Sequence, residues 1–396
     1  MDIRKLQESV KVVTDPRRSW GNLRHKLEDI LIIGLCSVIC QGEDFEDMEL
    51  FGLERKEWLT QFLELPHGIP DSDTFRRVFE RVNPQELSKW LNNWLETERK
   101  SGGRLVSVDG KTICGSGNSE HKAYHVVSAW VGEHGITLGE LQVGEKTNEI
   151  TQVPELLDIL DIKGDIVTAD AMSCQKTIAA KVKEKEADYI FALKGNQSTM
   201  EQEVKAYFDD LPQNQEEKGR TASWTSPTEK GHGRVEKRTV TVAPCDWFQD
   251  KSLWKGLTSF VRVQREVTTE TGTSTFERFY ISSLNKTPEE FCALIRGHWS
   301  IENQLHWCLD VIFGEDSSRA RKDNSPLNMN VLRKTALSLI KTVDLGKRIS
   351  LTKKALYGRF KSQRIAYGNF RKVNAVALQL SFLSLDGSFR SVLYSS

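Results

Sequence analysis

The first hundred residues carry apolar side chains at helical spacing. Residues 28–40 form a largely apolar stretch, and residues 44–62 repeat apolar side chains every three or four positions. A break that contains proline and glycine follows, after which Asp71 or Ser72 can cap another helix. The pattern therefore predicts an all-helical N-terminal domain over residues 1–97.

The pattern changes to short β-prone runs after Gly103. The predicted order is strands at 104–108, 124–131 and 136–143, a helix at 154–160, a strand at 165–168, a helix at 175–186 and a strand at 189–193. Neighbouring strands followed by alternating helices and strands are typical of a mixed α/β sheet. We expect this α/β domain to occupy residues 98–210 and 287–345.

Residues 211–286 interrupt that alternation. They contain long runs rich in Thr and Val, which predict a β-rich insertion. A helix is expected directly afterwards, because Thr287 can cap it, Pro288 suits its first turn, and a glutamate three residues after Thr287 completes a capping box. This helix should run over residues 288–313, about 39 Å at 1.5 Å per residue, and stop at Gly314.

The charge of the chain is balanced overall but uneven along the sequence. It has 55 basic and 55 acidic residues, a balance that argues weakly against nucleic-acid binding. Residues 317–372, however, hold fifteen Lys and Arg residues against two acids. Such a segment suits a phosphate-binding surface, and a solvated helical face explains it about as well. We expect a basic C-terminal tail over residues 346–396.

Composition also bears on the cellular setting. No stretch reaches the roughly 18 apolar residues of a membrane helix, and the first residues show no apolar leader. The seven cysteines are scattered, without a zinc-binding pattern. These features predict a cytoplasmic protein that has reduced core cysteines and no membrane segment.

Two aspartates occupy positions suited to chemistry. Asp109 follows the first β-prone run and Asp170 follows the run at 165–168, so each carboxylate would project from a rigid strand end. Capping of a turn is the more common role of an aspartate at such a position. Either aspartate alone is therefore weak evidence for an active site.

The helix predicted at 288–313 carries a polar stripe. His298, Glu302, His306 and Asp310 recur every four residues, which keeps them on one slowly drifting face. The other sides of the helix are filled by Trp299, Ile301, Leu305, Trp307 and Leu309. The stripe fits either a metal-binding site or a buried polar network that links domains.

Together, Asp109, Asp170 and Glu302 would form a site with oxygen ligands only. Such ligands suit Mg²⁺ or Mn²⁺ better than zinc. Two such ions about 4 Å apart can activate an attacking oxygen and stabilise the leaving one at a phosphodiester. The sequence contains no nucleotide-binding P-loop, Rossmann glycine pattern, G-x-S-x-G or H-E-x-x-H motif, which leaves few competing classes of enzyme.

Five sequence blocks occur in a recognisable order. They are D-G-K-T at 109–112, T-A-D-A at 168–171, F-A-L-K-G-N at 191–196, H-G-R-V-E at 232–236 and H-W-S-I-E-N-Q-L-H-W-C-L-D-V-I-F-G-E-D at 298–316. Over roughly residues 10–340 the chain resembles the H-repeat-associated family of bacterial insertion-sequence transposases. The last block is the most specific of the five.

The resemblance implies a fold, a reaction and partners. It implies an RNase H-like catalytic domain with a β-rich insertion and the acidic (DDE) triad Asp109, Asp170 and Glu302. It also implies Mg²⁺ or Mn²⁺ as cofactor, with two ions, and a homodimer on double-stranded DNA that cleaves the terminal inverted repeats of an element and joins them to target DNA. Alternatives are a DDE nuclease without strand transfer and an inactive DNA-binding relic.

One signature of related transposases is only partly kept. Related DDE transposases have a Tyr-Arg-Glu-Lys signature around the third acid. Here Ile295, His298 and Leu309 occupy its other three places, so that only Glu302 is retained. His298 could still contact phosphate if its ring were protonated.

Further polar residues are secondary candidates. We expect His306 to orient Glu302 or the attacking water, and Asp310 to serve structure. The candidates for DNA contact are Lys194, Asn196, Arg234, Arg238, Arg319, Arg321 and Lys322. Ordinary solvation explains the first two equally well, and cross-strand ion pairs explain Arg234 and Arg238 equally well.

Overall fold

The computed structural model describes residues 3–18, 23–96, 102–119, 121–144, 147–231 and 233–342. The predicted tail at 346–396 lies outside the described residues, as does much of the basic 317–372 segment.

Helices make up the regular structure of the N-terminal part, as predicted. They are α1 (Ile3–Ser9), α2 (Leu27–Ile39), α3 (Phe45–Glu54), α4 (Lys56–Leu59), α5 (Ser72–Phe79) and α6 (Pro84–Glu96). Of the two caps expected for α5, Asp71 is the one used, since its side chain accepts a 2.7 Å hydrogen bond from the Thr74 backbone N–H. Helix α2 is buried from Asp29 to Ile39, which agrees with its apolar sequence.

The next segment forms a mixed sheet. Its elements are β1 (Leu105–Thr112), β2 (His125–Val131), β3 (Ile136–Val143), α7 (Glu149–Ile159), β4 (Ile166–Ala169), α8 (Lys176–Glu184) and β5 (Asp188–Leu193). Strand β1 pairs antiparallel with β2 and parallel with β4, and β4 pairs parallel with β5. The resulting order β3-β2-β1-β4-β5 confirms the α/β, RNase H-like class.

Asp109 differs from its prediction in one respect. It lies inside β1 and not at the carboxyl end of that strand. The parallel pairing of β1 with β4 ends at Val108 and Ala169, but the antiparallel pairing with β2 continues to Thr112. Asp109 therefore occupies the first position of β1 that has a neighbouring strand on one side only.

The strands of the predicted insertion belong to the same sheet. After β5 come α9 (Ser198–Asp210), α10 (Gln215–Gly219), β6 (Ala222–Thr225), β7 (Glu229–Gly231), β8 (Arg234–Pro244), β9 (Ser259–Thr269) and β10 (Gly272–Ser282). Strand β10 pairs antiparallel with β5, and β9, β8 and β6 follow outward. The buried half of β10, Phe279–Ser282, makes this junction, so the insertion extends the α/β sheet.

The helix predicted at 288–313 is present but irregular. It comprises α11 (Pro288–His298), a π-helical turn at Glu302–His306 and α12 (Trp307–Val311). The predicted capping box at Thr287 is formed. The prediction of one regular helix was wrong, because a π turn holds an extra residue and alters the four-residue spacing of the polar stripe.

The N-terminal helices and the α/β region share one hydrophobic core. Helix α13 (Ser325–Thr342) packs against α2 and α6. Trp90 of α6, Leu305 of the π turn and Leu332 of α13 are all fully buried members of the same apolar cluster. The irregular helix is thus held between the sheet and the N-terminal helices.

The expectations of no membrane helix and of reduced core cysteines can also be compared with the structure. Among the described residues, no helix combines the length and apolar character needed to cross a membrane. All seven cysteines are free thiols. Cys114 is exposed and so is not a core residue, because it lies in a short 3-10 turn that directly follows β1.

Candidate active site

The two aspartates meet at one edge of the sheet. Val108 of β1 pairs with Ala169 of β4, so the residues that follow them, Asp109 and Asp170, lie beside each other. Both line a cleft with a volume of about 520 Å³. Asp170 also accepts a 3.3 Å hydrogen bond from the Ser173 backbone N–H, so it caps a turn as well as facing the cleft.

Glu302 lines the same cleft from the irregular helix. Helix α11 packs on β1 and β4, which brings its carboxyl end over the two aspartates. Ile301 and Leu305 on either side of Glu302 are fully buried, whereas Glu302 itself is exposed to the cleft. The three predicted acids therefore converge on one space.

The electrostatics of Asp109 reflect this crowding. Its pKa is raised to about 7, chiefly by burial and further by the negative charges of Asp170, Glu149 and Glu302. The backbone N–H of Gly110 opposes this shift. The described side chains do not include a group of three or more acids, histidines or cysteines already closed around an ion-sized space.

His298 is neutral in this environment. Its Nδ1 lies 3.0 Å from Thr168 Oγ1, and burial lowers the pKa of the ring to about 4. The ring lines the cleft but carries no charge near neutral pH. A phosphate contact through a protonated His298, considered from the sequence, is therefore disfavoured.

His306 lies beside a different acid from the one expected. Its Nδ1 is 3.7 Å from Asp109 Oδ2, which is too long for a hydrogen bond. Burial, followed by the charges of Lys334, Lys111 and His125, lowers the pKa of His306 to about 3. Its Nε2 is buried and has no hydrogen-bond partner among the described groups. The expected pairing with Glu302 is not found among the described residues, and the acid beside His306 is Asp109.

Asp310 belongs to a charge network next to the cleft. It forms a 2.6 Å ion pair with Lys111, which also lies 3.4 Å from Glu315 and 3.6 Å from Asp316. Glu315 is fully buried and accepts a 2.7 Å hydrogen bond from Asn330. These contacts support the structural role expected for Asp310, and they add Lys111, which the sequence analysis did not single out.

The two candidates after β5, Lys194 and Asn196, differ in whether their side chains are free to contact DNA. Lys194 is exposed and lines the cleft. The side-chain amide of Asn196 donates to the carbonyl oxygens of Ala171 and, at 3.4 Å, Cys174. Asn196 thus joins the turn after β5 to the turn that holds Asp170, and its amide donor is already used.

The arginines of β8 form ion pairs. Arg234 and Arg238 each contact Glu236 at 2.6 Å, and Arg238 also contacts Glu229 at 3.0 Å. Arg265 on the neighbouring strand β9 binds Glu236 from the other side at 2.5 Å. Both arginines are thus engaged in ion pairs, which run along β8 for Arg234 and also across to β7 for Arg238.

The basic residues after α12 are exposed but not equally free. Arg321 Nε donates a 2.8 Å hydrogen bond to the Gly115 carbonyl, and Lys322 forms a 3.1 Å ion pair with buried Glu80. Arg319 is exposed as well. Of the three residues, Arg319 is the one best placed to meet a phosphate.

One pair beside Asp109 was missed by the sequence analysis. His125 Nε2 lies 2.6 Å from Glu149 Oε1, and His125 Nδ1 lies 2.9 Å from Thr112 Oγ1. A side chain at Gly110 would overlap Glu149 Oε1, so this glycine makes room for the pair. The glycine after Asp109 was the signal available in the sequence, but only the fold shows what occupies the space.

The raised pKa of Asp109 predicts a pH-dependent effect on stability. An acid whose folded pKa lies above its unfolded value lowers stability as pH rises from about 4 through 7, because ionisation then favours the unfolded chain. We expect Asp109→Asn to raise the Tm of metal-free protein more at pH 8 than at pH 5. The exposed Asp250→Asn is the control, and an equal Tm change at both pH values for Asp109→Asn would contradict the electrostatic account.

Comparison with known proteins identifies relatives of this chain. A family model described as "Transposase DDE domain" matches residues 100–339, and one described as "DDE_Tnp_1-associated" matches residues 7–95. "Putative transposase YncI" of Escherichia coli O157:H7 is 38% identical over 86% of this chain and 88% of its own length. "H repeat-associated putative transposase YhhI" of Escherichia coli K12 is 36% identical over 90% of this chain and 96% of its own length.

A solved structure of a piggyBac transposase synaptic complex with hairpin DNA is similar at a TM-score of 0.37 and 9% identity, over 97% of this chain and 82% of that chain. The sequence matches cover both the helical part and the α/β part that carries the three acids. By these matches, the chain belongs to the DDE transposase family.

Proposed function

We propose that this protein is a metal-dependent DNA transposase that cleaves phosphodiester bonds at the ends of an insertion element and transfers the freed strand to target DNA. Asp109, Asp170 and Glu302 are its catalytic acids. The observation that carries the proposal is their convergence on one cleft, where burial, followed by the charges of neighbouring acids, raises the pKa of Asp109.

The residues present fit a divalent cation. All three acids offer hard oxygen ligands, and their mutual repulsion would be relieved by a doubly charged ion. Bound Mg²⁺ or Mn²⁺, in the two-ion arrangement, would supply charge stabilisation at the attacking and leaving oxygens of the phosphodiester. Asp109 and Asp170 would hold it from the sheet, and Glu302 from the helix.

Neighbouring residues maintain this arrangement. His298 is neutral and bonded to Thr168 of β4, so it fixes the end of α11 over the sheet without adding positive charge. His306, whose pKa burial lowers to about 3, places its Nδ1 3.7 Å from Asp109 Oδ2 without adding positive charge there. Neither neutral ring offsets the negative charge of the three acids.

The cleft also has features suited to a nucleic-acid backbone. Lys194, Lys205 and Arg278 line it together with the acids. Arg278 lies 5.0 Å above the ring of Trp299, which places its charge at the rim of the cleft. Basic side chains at this position would position phosphates, whereas base sequence must be read elsewhere. Since two element ends must be held together for strand transfer, we propose a homodimer on DNA.

The triad proposal predicts selective loss of chemistry. Asp109→Ala, Asp170→Ala and Glu302→Ala should each abolish Mg²⁺- or Mn²⁺-dependent cleavage of element-end DNA, because each removes a ligand of the same ions. DNA affinity, measured by electrophoretic mobility shift, should persist. The exposed Glu155→Ala on α7 is the control and should cleave normally.

Wild-type cleavage by any of the three triad variants would remove that acid from the triad. A strand-transfer assay with pre-cleaved ends distinguishes the nuclease alternative, since a nuclease would cleave without joining. Failure of the wild-type protein in both assays, with retained DNA binding, would favour the inactive relic.

DNA binding should depend on salt through specific cations. Each phosphate contact contributes roughly −0.9 to the slope of log K against log salt concentration. We expect the double variant Lys194→Ala and Arg319→Ala to make this slope shallower by up to about two units, as measured by fluorescence anisotropy. Lys255→Ala, in the loop before β9, is the matched control, and an unchanged slope in the double variant would place the DNA elsewhere.

A further inference from the structure

The triad is not the whole of the acidic group around Asp109. Glu149 begins α7 and is positioned there by Asn148, whose side chain caps that helix. Among the charges that act on Asp109, that of Glu149 ranks after Asp170 and ahead of Glu302. Glu149, which has no place in the triad, thus adds to the negative charge around Asp109.

The position of Glu149 is fixed by its contacts. His125 at the start of β2 holds Glu149 Oε1 at 2.6 Å and is itself held at 2.9 Å by Thr112 at the end of β1. The pair lies directly over Gly110, where a Cβ atom would overlap Glu149 Oε1 and lie 2.5 Å from His125 Nε2. The carboxylate therefore rests on the backbone next to Asp109, in a space that only glycine leaves open.

We infer that Glu149, held by His125, is a positioning residue of the candidate site, whose negative charge strengthens the retention of the divalent cation at Asp109. This inference rests on the proposed function. Outer groups that support a metal site typically change its metal affinity by roughly 10–100-fold. The competing interpretation is purely structural: the His125–Glu149 contact would only fasten α7 to the sheet.

Two substitutions at Glu149 separate these interpretations. Glu149→Gln keeps a partner for His125 but removes the charge, and Glu149→Asp keeps the charge on a shorter side chain that reaches His125 less well. A charge role predicts that Glu149→Gln weakens cation binding and that Glu149→Asp largely restores it. A purely structural role predicts that Glu149→Asp lowers the Tm more than Glu149→Gln does. Cation affinity should then be unchanged in both variants.

The experiment is a Mn²⁺ titration of the full-length protein without DNA, followed by calorimetry, together with the Tm of each metal-free variant. We expect Glu149→Gln to weaken Mn²⁺ binding about 10–100-fold without lowering the metal-free Tm. Glu155→Gln on the same helix is the matched control and should bind Mn²⁺ like the wild type. Wild-type Mn²⁺ affinity in Glu149→Gln would overturn the inference.

Three further variants complete the design. His125→Ala should weaken Mn²⁺ binding less than Glu149→Gln, and combining the two should add nothing, because His125 acts only through Glu149. An additive double variant would contradict this. Asp109→Asn distinguishes failure of the proposed function from failure of the inference about Glu149. If Asp109→Asn binds Mn²⁺ normally, the proposed function fails. If Asp109→Asn loses Mn²⁺ binding while the Glu149 variants retain it, only the role of Glu149 fails.

Discussion

The site depends on one constraint, which is the burial of like-charged acids together at the place where two parallel strands part. Pairing of β1 with β4 ends at Val108 and Ala169, so Asp109 and Asp170 emerge side by side. Burial and these neighbours raise the pKa of Asp109 to about 7. In the proposed reaction, a doubly charged ion would offset both the burial of this carboxylate and the repulsion from its neighbours.

The third acid depends on a different kind of interaction. Glu302 lies between Ile301 and Leu305, whose side chains are buried in the core shared with the N-terminal helices and α13. On its other side the irregular helix is tied to the sheet through the ion pair between Asp310 and Lys111. The N-terminal helices therefore help to hold in place the irregular helix that carries Glu302, although none of the three candidate acids lies in them.

Local patterns in the sequence predicted much of this arrangement. Capping at Thr287 and the apolar runs of the strands depend on residues close in sequence, so these elements could be predicted from the sequence. The family resemblance indicated that the three acids belong to one site. The π turn could not be predicted, because it depends on packing on both sides of the helix. His306 was consequently predicted to lie beside Glu302, whereas it lies beside Asp109. Glu149 was missed because its place near Asp109 depends on a contact with His125, which is distant in sequence.

The central claim is that Asp109, Asp170 and Glu302 together bind divalent cations. The most direct measurement is anomalous diffraction from crystals of the full-length protein soaked in Mn²⁺. The account predicts anomalous density in the cleft, with carboxylate oxygens of all three residues about 2.0–2.3 Å from the bound ions. The account would be contradicted by Mn²⁺ density at full occupancy elsewhere and no density between these carboxylates. It would also be contradicted by the absence of Mn²⁺ density at every concentration that the crystals tolerate.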